Sequence, residues 1–575
     1  MTLHSMSSLS GSEIPLDGLT ILVGPNNAGK SQTLRDIHQL ITVPAAPTVL
    51  VASLDDRFVK SKESYLRGVS KRPSKNNPIN TAYSALDSSL QSLKSLEITE
   101  ETLDAQFNNE TWDWINTQFG TYRLAYLNAG SRLDVAKSGL SHDAHTEDPS
   151  TLLQQLYLRK DIQHELDLAF HQTFGMHVKL DYSGLKTLSL RVGYEFGDVP
   201  SDPSEAHPIM GKFPQLDVQG DGFRSFVGVV LSLLLSRNRI ILLDEPEAFL
   251  HPEQARRLGR WLATDSAQYG GQVIVATHNS HFIQGLLSVN SSTRLVRLNR
   301  TGDCTSYRVV DTSTTKEFAS SPLLSSQRVL EAVFHRKTVV CEADTDRMIY
   351  QTVALREFGQ SDILFVNAQN KQTCHSIAST LRSAGVDVSV IVDLDVLNSE
   401  LDLRHLMQSF GIDVHLIEQF ESARLLIAAE VNGREEAEVL QEISAHVTEL
   451  VGQLQCGEHT LNGARSALAR IRSAGTKWDR IKGEGISALS EGIRRSARDL
   501  LNALGEHRIY LVPVGELESW MNLAARKNRW SNVALDEISD GRSTEPLRRF
   551  VGVVIGAVEG ELVPSQDDPD HNPTS

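Results

Sequence analysis

The sequence predicts an α/β protein of two successive domains, each built on a parallel sheet. Three observations carry that expectation. An apolar run, Ile21-Leu22-Val23, enters the glycine-rich turn Gly24-Pro25-Asn26-Asn27-Ala28-Gly29-Lys30-Ser31. A second run, Ile240-Ile241-Leu242-Leu243, ends in the acid pair Asp244-Glu245. Later runs end in further carboxylates, at Glu342, at Asp393 and near Glu516. Continuous apolar runs suit strands buried on both faces of a parallel sheet. At 575 residues the chain exceeds one ordinary core.

The first turn fits the pattern GxxxxGK[ST], followed by a helix from Gln32 to about 40. Gly24 and Gly29 let backbone amides converge on phosphate. Lys30 supplies charge for the terminal phosphates and the Ser31 hydroxyl suits Mg²⁺. Gly24, Asn26, Asn27, Ala28, Gly29, Lys30, Ser31 and Gln32 are therefore the expected ATP-binding set, at a helix N-terminus whose dipole adds to the attraction. Residues 55–120 are polar and read as a helical insertion with little core, serving dimerisation. Within them, 60–77 carry six bases (Lys60, Lys62, Arg67, Lys71, Arg72, Lys75) against Glu63, which fits a solvated loop or a phosphate-contacting arm. Tyr122–Leu127 reads as a strand ending in Asn128-Ala129-Gly130-Ser131-Arg132, 150–172 as a helix, and 176–196 as a hairpin.

Val218 to Ser225 then forms a glycine-rich turn that opens an apolar helix, about 226–235. Asp244 and Glu245 stand where ligands of open α/β sheets bind; Asp244 suits Mg²⁺ and Glu245 suits polarising the attacking water. A strand, Val273–Ala276, delivers His278 toward the γ-phosphate. This order of parts resembles ATPases of the ATP-binding-cassette class, in the Rad50/SMC-like branch, with His251-Pro252 in the D-loop place. The resemblance implies nucleotide held between two heads, hence a homodimer or higher oligomer. The LSGGQ signature is absent; Gly220, Gly222 and Ser225 stand in for it.

A Ser/Thr-rich stretch, 311–326, places the domain boundary near 320. Beyond it, strands at Thr338–Cys341, Val388–Val392 and Ile509–Val512 each end in acids. Like charges gathered this way require divalent cations, and hard oxygen ligands favour Mg²⁺ or Mn²⁺. If the second strand continues, its period of two puts Asp393 and Asp395 on one face. The pattern resembles a Toprim domain. That resemblance makes Glu342 the first-motif glutamate, with Asp346 its partner and Asp393 and Asp395 the DxD pair; Ala343 replaces the usual glycine. A cassette-type ATPase followed by a Toprim domain resembles the overcoming-lysogenization-defect (OLD) nucleases, including the Gabija-type anti-phage subunit. The family implies a later acidic motif, matched by Glu516 and Glu518, a lysine near the scissile phosphate, matched by Lys527, and a helicase-like partner encoded nearby.

Residues 420–506 read as a helical insertion with split charge: eight acids against two bases over 421–458, then nine bases against four acids over 459–505. The basic half fits DNA guidance or pairing with the acidic half. After about 555 the chain reads as a disordered tail to 575.

Composition narrows the classes. Hydrophobic residues at 40% and charged residues at 22% are globular values. Net charge of −16 argues against a general nucleic-acid coat, and four scattered cysteines argue against a disulfide framework. No membrane span or leader pattern is read, which places the protein in the cytoplasm. The expectation is an ATP-regulated, metal-dependent DNA endonuclease of anti-phage defence, its Toprim acids and Lys527 performing the cleavage. Its rivals are an RNA- or tRNA-cleaving Toprim effector and a non-catalytic DNA-tethering ATPase.

Overall fold

The computed structural model describes residues 3–16, 18–43, 46–55, 62–266, 271–289, 293–321, 323–324, 326–433, 436–455, 464, 468, 478–523 and 527–564. The chain divides into two units, Met1–Phe334 and His335–Ser575. The division falls after the boundary expected near 320, because the helix Gln327–Glu331 packs on Ser280–Leu287 within the first unit.

The first unit is organised on a six-stranded sheet in the order Cys304–Val309, Arg294–Thr301, Leu19–Val23, Gln272–Ala276, Ile240–Asp244, Leu124–Leu127. All neighbours are parallel except the edge strand Cys304–Val309. Every residue of the three central strands is buried, as their unbroken apolar sequence requires. One edge of this sheet therefore carries the phosphate loop after Val23, the acid pair at Asp244, and Thr277-His278 after Ala276. The helix Asp221–Leu235 lies buried along most of its length. The expected hairpin forms from His177–Asp181 and Thr187–Gly193.

Two helices, Pro252–Ser266 and Ser280–Leu287, follow the strands Ile240–Asp244 and Gln272–Ala276, and they touch backbone to backbone. A Cβ on Gly259 would fall 2.2 Å from the Phe282 carbonyl oxygen, and one on Gly285 would fall 2.0 Å from that of Arg256. Only glycine permits that approach from both sides.

The region expected to be a helical insertion is instead mixed. Ser70–Pro73, Thr81–Leu86 and Leu93–Ile98 form an antiparallel three-stranded sheet, backed by the helices Glu100–Asn108 and Trp112–Arg123. Its core is largely aromatic: Tyr65, Tyr83, Phe119 and Tyr122, with Ile115 and Leu103. Aromatic and β-branched residues alternating between turn-forming Ser, Asn and Asp favour strands over helix. The basic stretch is tied internally: Lys62 pairs with Glu100 and Asp104, Lys71 with Glu100, and Arg72 with Asp148. These bonds hold the Glu100 carboxyl down at about 2. Lys60 lies outside the described residues.

The second unit carries a four-stranded parallel sheet in the order Ile363–Asn367, Lys337–Cys341, Asp387–Val392, Ile509–Leu511. Ile363–Asn367 is an edge strand the sequence reading passed over. Between the last two strands come the helices Glu400–Ser409, Val414–Asn432, Glu436–Gln455, Asp479–Glu484 and Glu491–Glu506, a helical insertion as expected. Arg465, Arg470, Arg472 and Lys477 of its basic half lie outside the described residues. Residues 556–564, expected in a tail, are instead packed: Leu562 is buried and the Val563 amide donates to Asn502; 565–575 lie outside the described residues.

Candidate nucleotide and metal sites

In the first unit the chain wraps as the glycine spacing demands. Gly24 has φ 142° and a Cβ there would collide with the Leu298 carbonyl; Gly29, at φ 100°, caps the helix Lys30–Thr42. Lys30 is buried and its ammonium donates to the carbonyls of Gly24 (2.8 Å) and Pro25 (3.0 Å). Burial draws its pKa down, against the pull of Glu245, Asp244 and Glu247. The Ser31 hydroxyl donates to Asp244 Oδ1 at 2.8 Å. Those two groups come from opposite ends of the sequence motif set and meet as a Mg²⁺ site requires. Gln32 instead turns its amide to Asp36. Asn27 sits at φ 62° in the loop.

Glu245 and His278 are brought together, His278 Nδ1 lying 2.9 Å from a Glu245 carboxylate oxygen. The pair lowers the Glu245 pKa and raises that of His278. Burial raises Asp244 despite its bond from Ser31. Glu245 itself stands at φ 51°, a left-handed position for a non-glycine.

Sequence reasoning missed the residue that holds this turn. Arg132 is fully buried and donates to the carbonyls of Asp244 (2.6 Å) and Glu245 (2.8 Å) and to Ser225 Oγ (3.3 Å). It ends the motif Asn128-Ala129-Gly130-Ser131-Arg132, a strand-end signal that was visible but had no assigned role. The signature stand-ins fare unequally. Gly220 caps the buried helix and Gly222 approaches the Phe249 carbonyl, but Ser225 is wholly buried. Its oxygen accepts from Arg132, away from solvent.

In the second unit the acids follow the strands. Glu342 succeeds Lys337–Cys341, Asp393 succeeds Asp387–Val392, and after Ile509–Leu511 Glu516 caps, and Glu518 lies within, the 3₁₀ helix Leu517–Trp520. Asp346 accepts the Ala343 amide at 2.9 Å and so closes the turn into the helix Asp344–Phe358. Ala343 is extended, at φ −122°, which explains why no glycine is needed there. The period-of-two reading of Asp393 and Asp395 is corrected. The strand stops at Val392 and Leu394–Asn398 turns into a 3₁₀ helix, because the Leu394 amide is drawn to the Gly515 carbonyl at 3.0 Å.

The cluster is electrostatically crowded. Burial first, then Glu342, Asp346, Asp395 and Glu516, push Asp393 up to about 8. Burial and neighbouring carboxylates push Asp346 up to about 6 and raise Glu342. Asp395 behaves differently: burial would raise it, but hydrogen bonds from Lys482 (2.9 Å) and Lys371 (3.2 Å) bring it down. One oxygen each of Glu342 and Asp395 is buried with no hydrogen-bond partner. Buried acceptors without donors, among carboxylates that raise each other's pKa, fit a cation. Among the described residues, however, no three acidic, histidine or cysteine side chains already stand at metal-ligand spacing. The expected six-acid ligand set is thus not assembled as such. Lys527 opens the helix Lys527–Ser539, and its side chain lies outside the described residues. The lysines that do reach the acids, Lys371 and Lys482, were missed. Lys371 begins a helix soon after the overlooked edge strand, and Lys482 was one of nine bases in the insertion.

Comparisons with known proteins agree with this division. Residues 203–284 match an AAA-domain family model described for AbiEii and type IV toxin–antitoxin systems. Residues 333–395 match the Toprim domain of overcoming-lysogenization-defect-like proteins. The Old nuclease of Escherichia phage P2 is 21% identical over 319 residues, covering 53% of this chain and 48% of that protein. The chain thus aligns with about half the length of this curated relative. Among solved structures, the SMC head domain from Thermotoga maritima is 15% identical and covers 54% of this chain and 100% of that one, with a TM-score of 0.29. An Smc head domain with extended coiled coil from Pyrococcus furiosus, bound to the C-terminal domain of ScpA, is 11% identical over 55% of this chain and 98% of that one, with a TM-score of 0.31. Scores this low carry no argument. Two domain matches and the phage relative carry the comparison: a match to an ATPase domain in the first part of the chain is followed by a match to an OLD-like Toprim domain, so the chain is similar to OLD-type ATPase–Toprim proteins.

Proposed function

We propose that the protein is an ATP-regulated, divalent-metal-dependent DNA endonuclease acting in the cytoplasm in defence against phage. The observation that carries this reading is the crowding at the Toprim strand ends. Asp393 is pushed to about 8 and a Glu342 oxygen is buried without a donor. A site that only tethered DNA would have no use for that accumulated charge. Glu342, Asp346 and Asp393, with Glu516 or Glu518, would hold Mg²⁺ or Mn²⁺. Bound there, the metal would activate water and stabilise the leaving oxygen of a phosphodiester. Lys527 would offset phosphate charge. In the first unit, Lys30 and Ser31 bind ATP, Asp244 binds its Mg²⁺, and Glu245 with His278 orients the attacking water. Two such heads would close on nucleotide as a homodimer, and a helicase-like partner would be encoded alongside.

Incubation with supercoiled plasmid, with and without ATP, across divalent metals tests the reading. Metal-dependent relaxed or linear product is expected, lost in Asp393→Ala. Wild-type cleavage by Asp393→Ala would remove the site assignment. Cleavage of total tRNA but not of plasmid would transfer the site to RNA.

A further inference from the structure

Asp395 holds two ammonium groups on one carboxylate oxygen. Lys482 Nζ lies 2.9 Å and Lys371 Nζ 3.2 Å from Oδ2, and the Asp395 side chain is only 13% exposed. The lysines remain more open, at 37% and 25%. Two ammonium groups thus face one carboxylate, beside Glu342 and Asp393. An ammonium has three donors, and at these exposures each retains N–H groups for an incoming acceptor.

The packing fixes Lys482 in place. Gly515 has φ 103°, and a Cβ there would fall 2.1 Å from the Lys482 carbonyl oxygen. Gly485, at φ 62°, presses equally on the Pro513 carbonyl. The Ser519 hydroxyl lies within hydrogen-bond distance of the carbonyls of Lys482 (3.2 Å) and Gly483 (3.1 Å). The end of the helical insertion is thereby seated against the loop that carries Glu516 and Glu518. Lys371 is fixed from the other side, at the start of a helix capped by Asn370.

We propose that Lys371 and Lys482 form a phosphate-docking pair for the DNA backbone, with Asp395 as their positioning carboxylate through Oδ2. The site is then bipartite, a cation half at Glu342, Asp346 and Asp393 and a phosphate half at the two lysines. This rests on the DNA-cleaving reading above. Charge-assisted N–H···O bonds to non-bridging phosphate oxygens are the interaction concerned.

The test is binding of a short fluorescein-labelled duplex to the full chain, read by anisotropy in Ca²⁺ across a salt series, for the unaltered protein, Lys371→Met, Lys482→Met and Lys482→Arg. Each Met variant should reduce the slope of log K against log salt by about 0.9, the value for one phosphate contact on B-DNA. Lys482→Arg should keep the slope, and melting curves identify any variant that fails to fold. Mn²⁺ binding, followed by thermal shift, should be unchanged in both Met variants. Unchanged slopes in the folded Met variants overturn the docking pair alone. Mn²⁺ binding tightened severalfold with an unchanged slope shows instead that the lysines mask Asp395 as a metal ligand. No duplex binding by the unaltered protein removes this inference and the DNA substrate together.

Discussion

Asp393→Asn should make the metal-free protein more stable at alkaline pH while destroying cleavage. The Asp393 carboxyl ordinarily titrates near 3.8 and is pushed to about 8 by burial and four neighbouring acids. The native state therefore holds a proton, between about pH 4 and pH 8, that the unfolded chain has released. Stability from this group is fully present below pH 4 and is lost as pH rises through about 8. A shift of about 4 units corresponds to at most about 6 kcal/mol. Asp393 is half-buried, and solvent and relaxation reduce this to about 3 kcal/mol. Asparagine keeps the shape and removes the charge. For a unit of this size about 3 kcal/mol corresponds to a melting shift on the order of 10 °C. The assay is a melting series on EDTA-treated protein and variant from pH 5.5 to 8.5. The variant should already melt somewhat higher at pH 5.5, part-way through the window, and the gap should widen as pH rises to about 8; added Mg²⁺ should raise the melting temperature of the unaltered protein more than that of the variant. If Asp393→Asn melts at or below the unaltered protein at pH 8.5, the crowding described here is not a feature of the folded protein.

Other outcomes follow from the same geometry. Lys30→Ala should lose ATP binding, measured with a fluorescent nucleotide, while Mn²⁺ binding at the Toprim acids is retained; loss of both would end the division of labour. Glu245→Gln should slow ATP hydrolysis by about 10²- to 10⁴-fold in a phosphate-release assay without weakening ATP binding, the range for a general base. Arg132→Ala leaves two buried carbonyls and the Ser225 hydroxyl without their donor, at about 1–3 kcal/mol each, so the first unit should melt lower and hydrolyse ATP slowly; an unshifted melt would contradict the buried role. Gly515→Ala combines a positive φ with a backbone clash, together on the order of 2–6 kcal/mol. Hydrogen exchange should then accelerate at 479–488 before it does in the central strands.

Much of the architecture was legible because the parallel strands are uniform. Ile240–Asp244 and Leu19–Val23 are buried on both faces and announce themselves as unbroken apolar runs ending in functional residues. The three-stranded sheet over 70–98 was not legible, since its strands are half-exposed and its core is made of scattered tyrosines and phenylalanines. Within the sites, residues placed by short local motifs could be found: Lys30 by its loop, and Glu342 and Asp393 by strand ends. Residues delivered across long sequence distances could not. Lys482 reaches Asp395 only because two glycines let separate loops press together, and Arg132 acquires meaning only when Asp244 and Ser225 surround it. Local spacing records none of those three-dimensional meetings. The DxD pair shows the opposite failure: the period-of-two geometry expected of it does not form, since the strand ends at Val392 and Leu394–Asn398 turns into a 3₁₀ helix with the Leu394 amide bonded to the Gly515 carbonyl.

The reciprocal glycines Gly259 and Gly285 make two helices one mechanical part. At Gly259 and Gly285 no side chain stands between the two backbones, so there is no compliant layer at that crossing to absorb displacement. His278 lies just ahead of one helix, and the other runs 15 residues from Pro252, about 22 Å at the standard rise. A tilt of about 5° imposed at the histidine would therefore swing the far end of that arm by about 2 Å over its length. The pair would work as a lever, with a movement at His278 as its input and a displacement at the far end of the Pro252–Ser266 helix as its output.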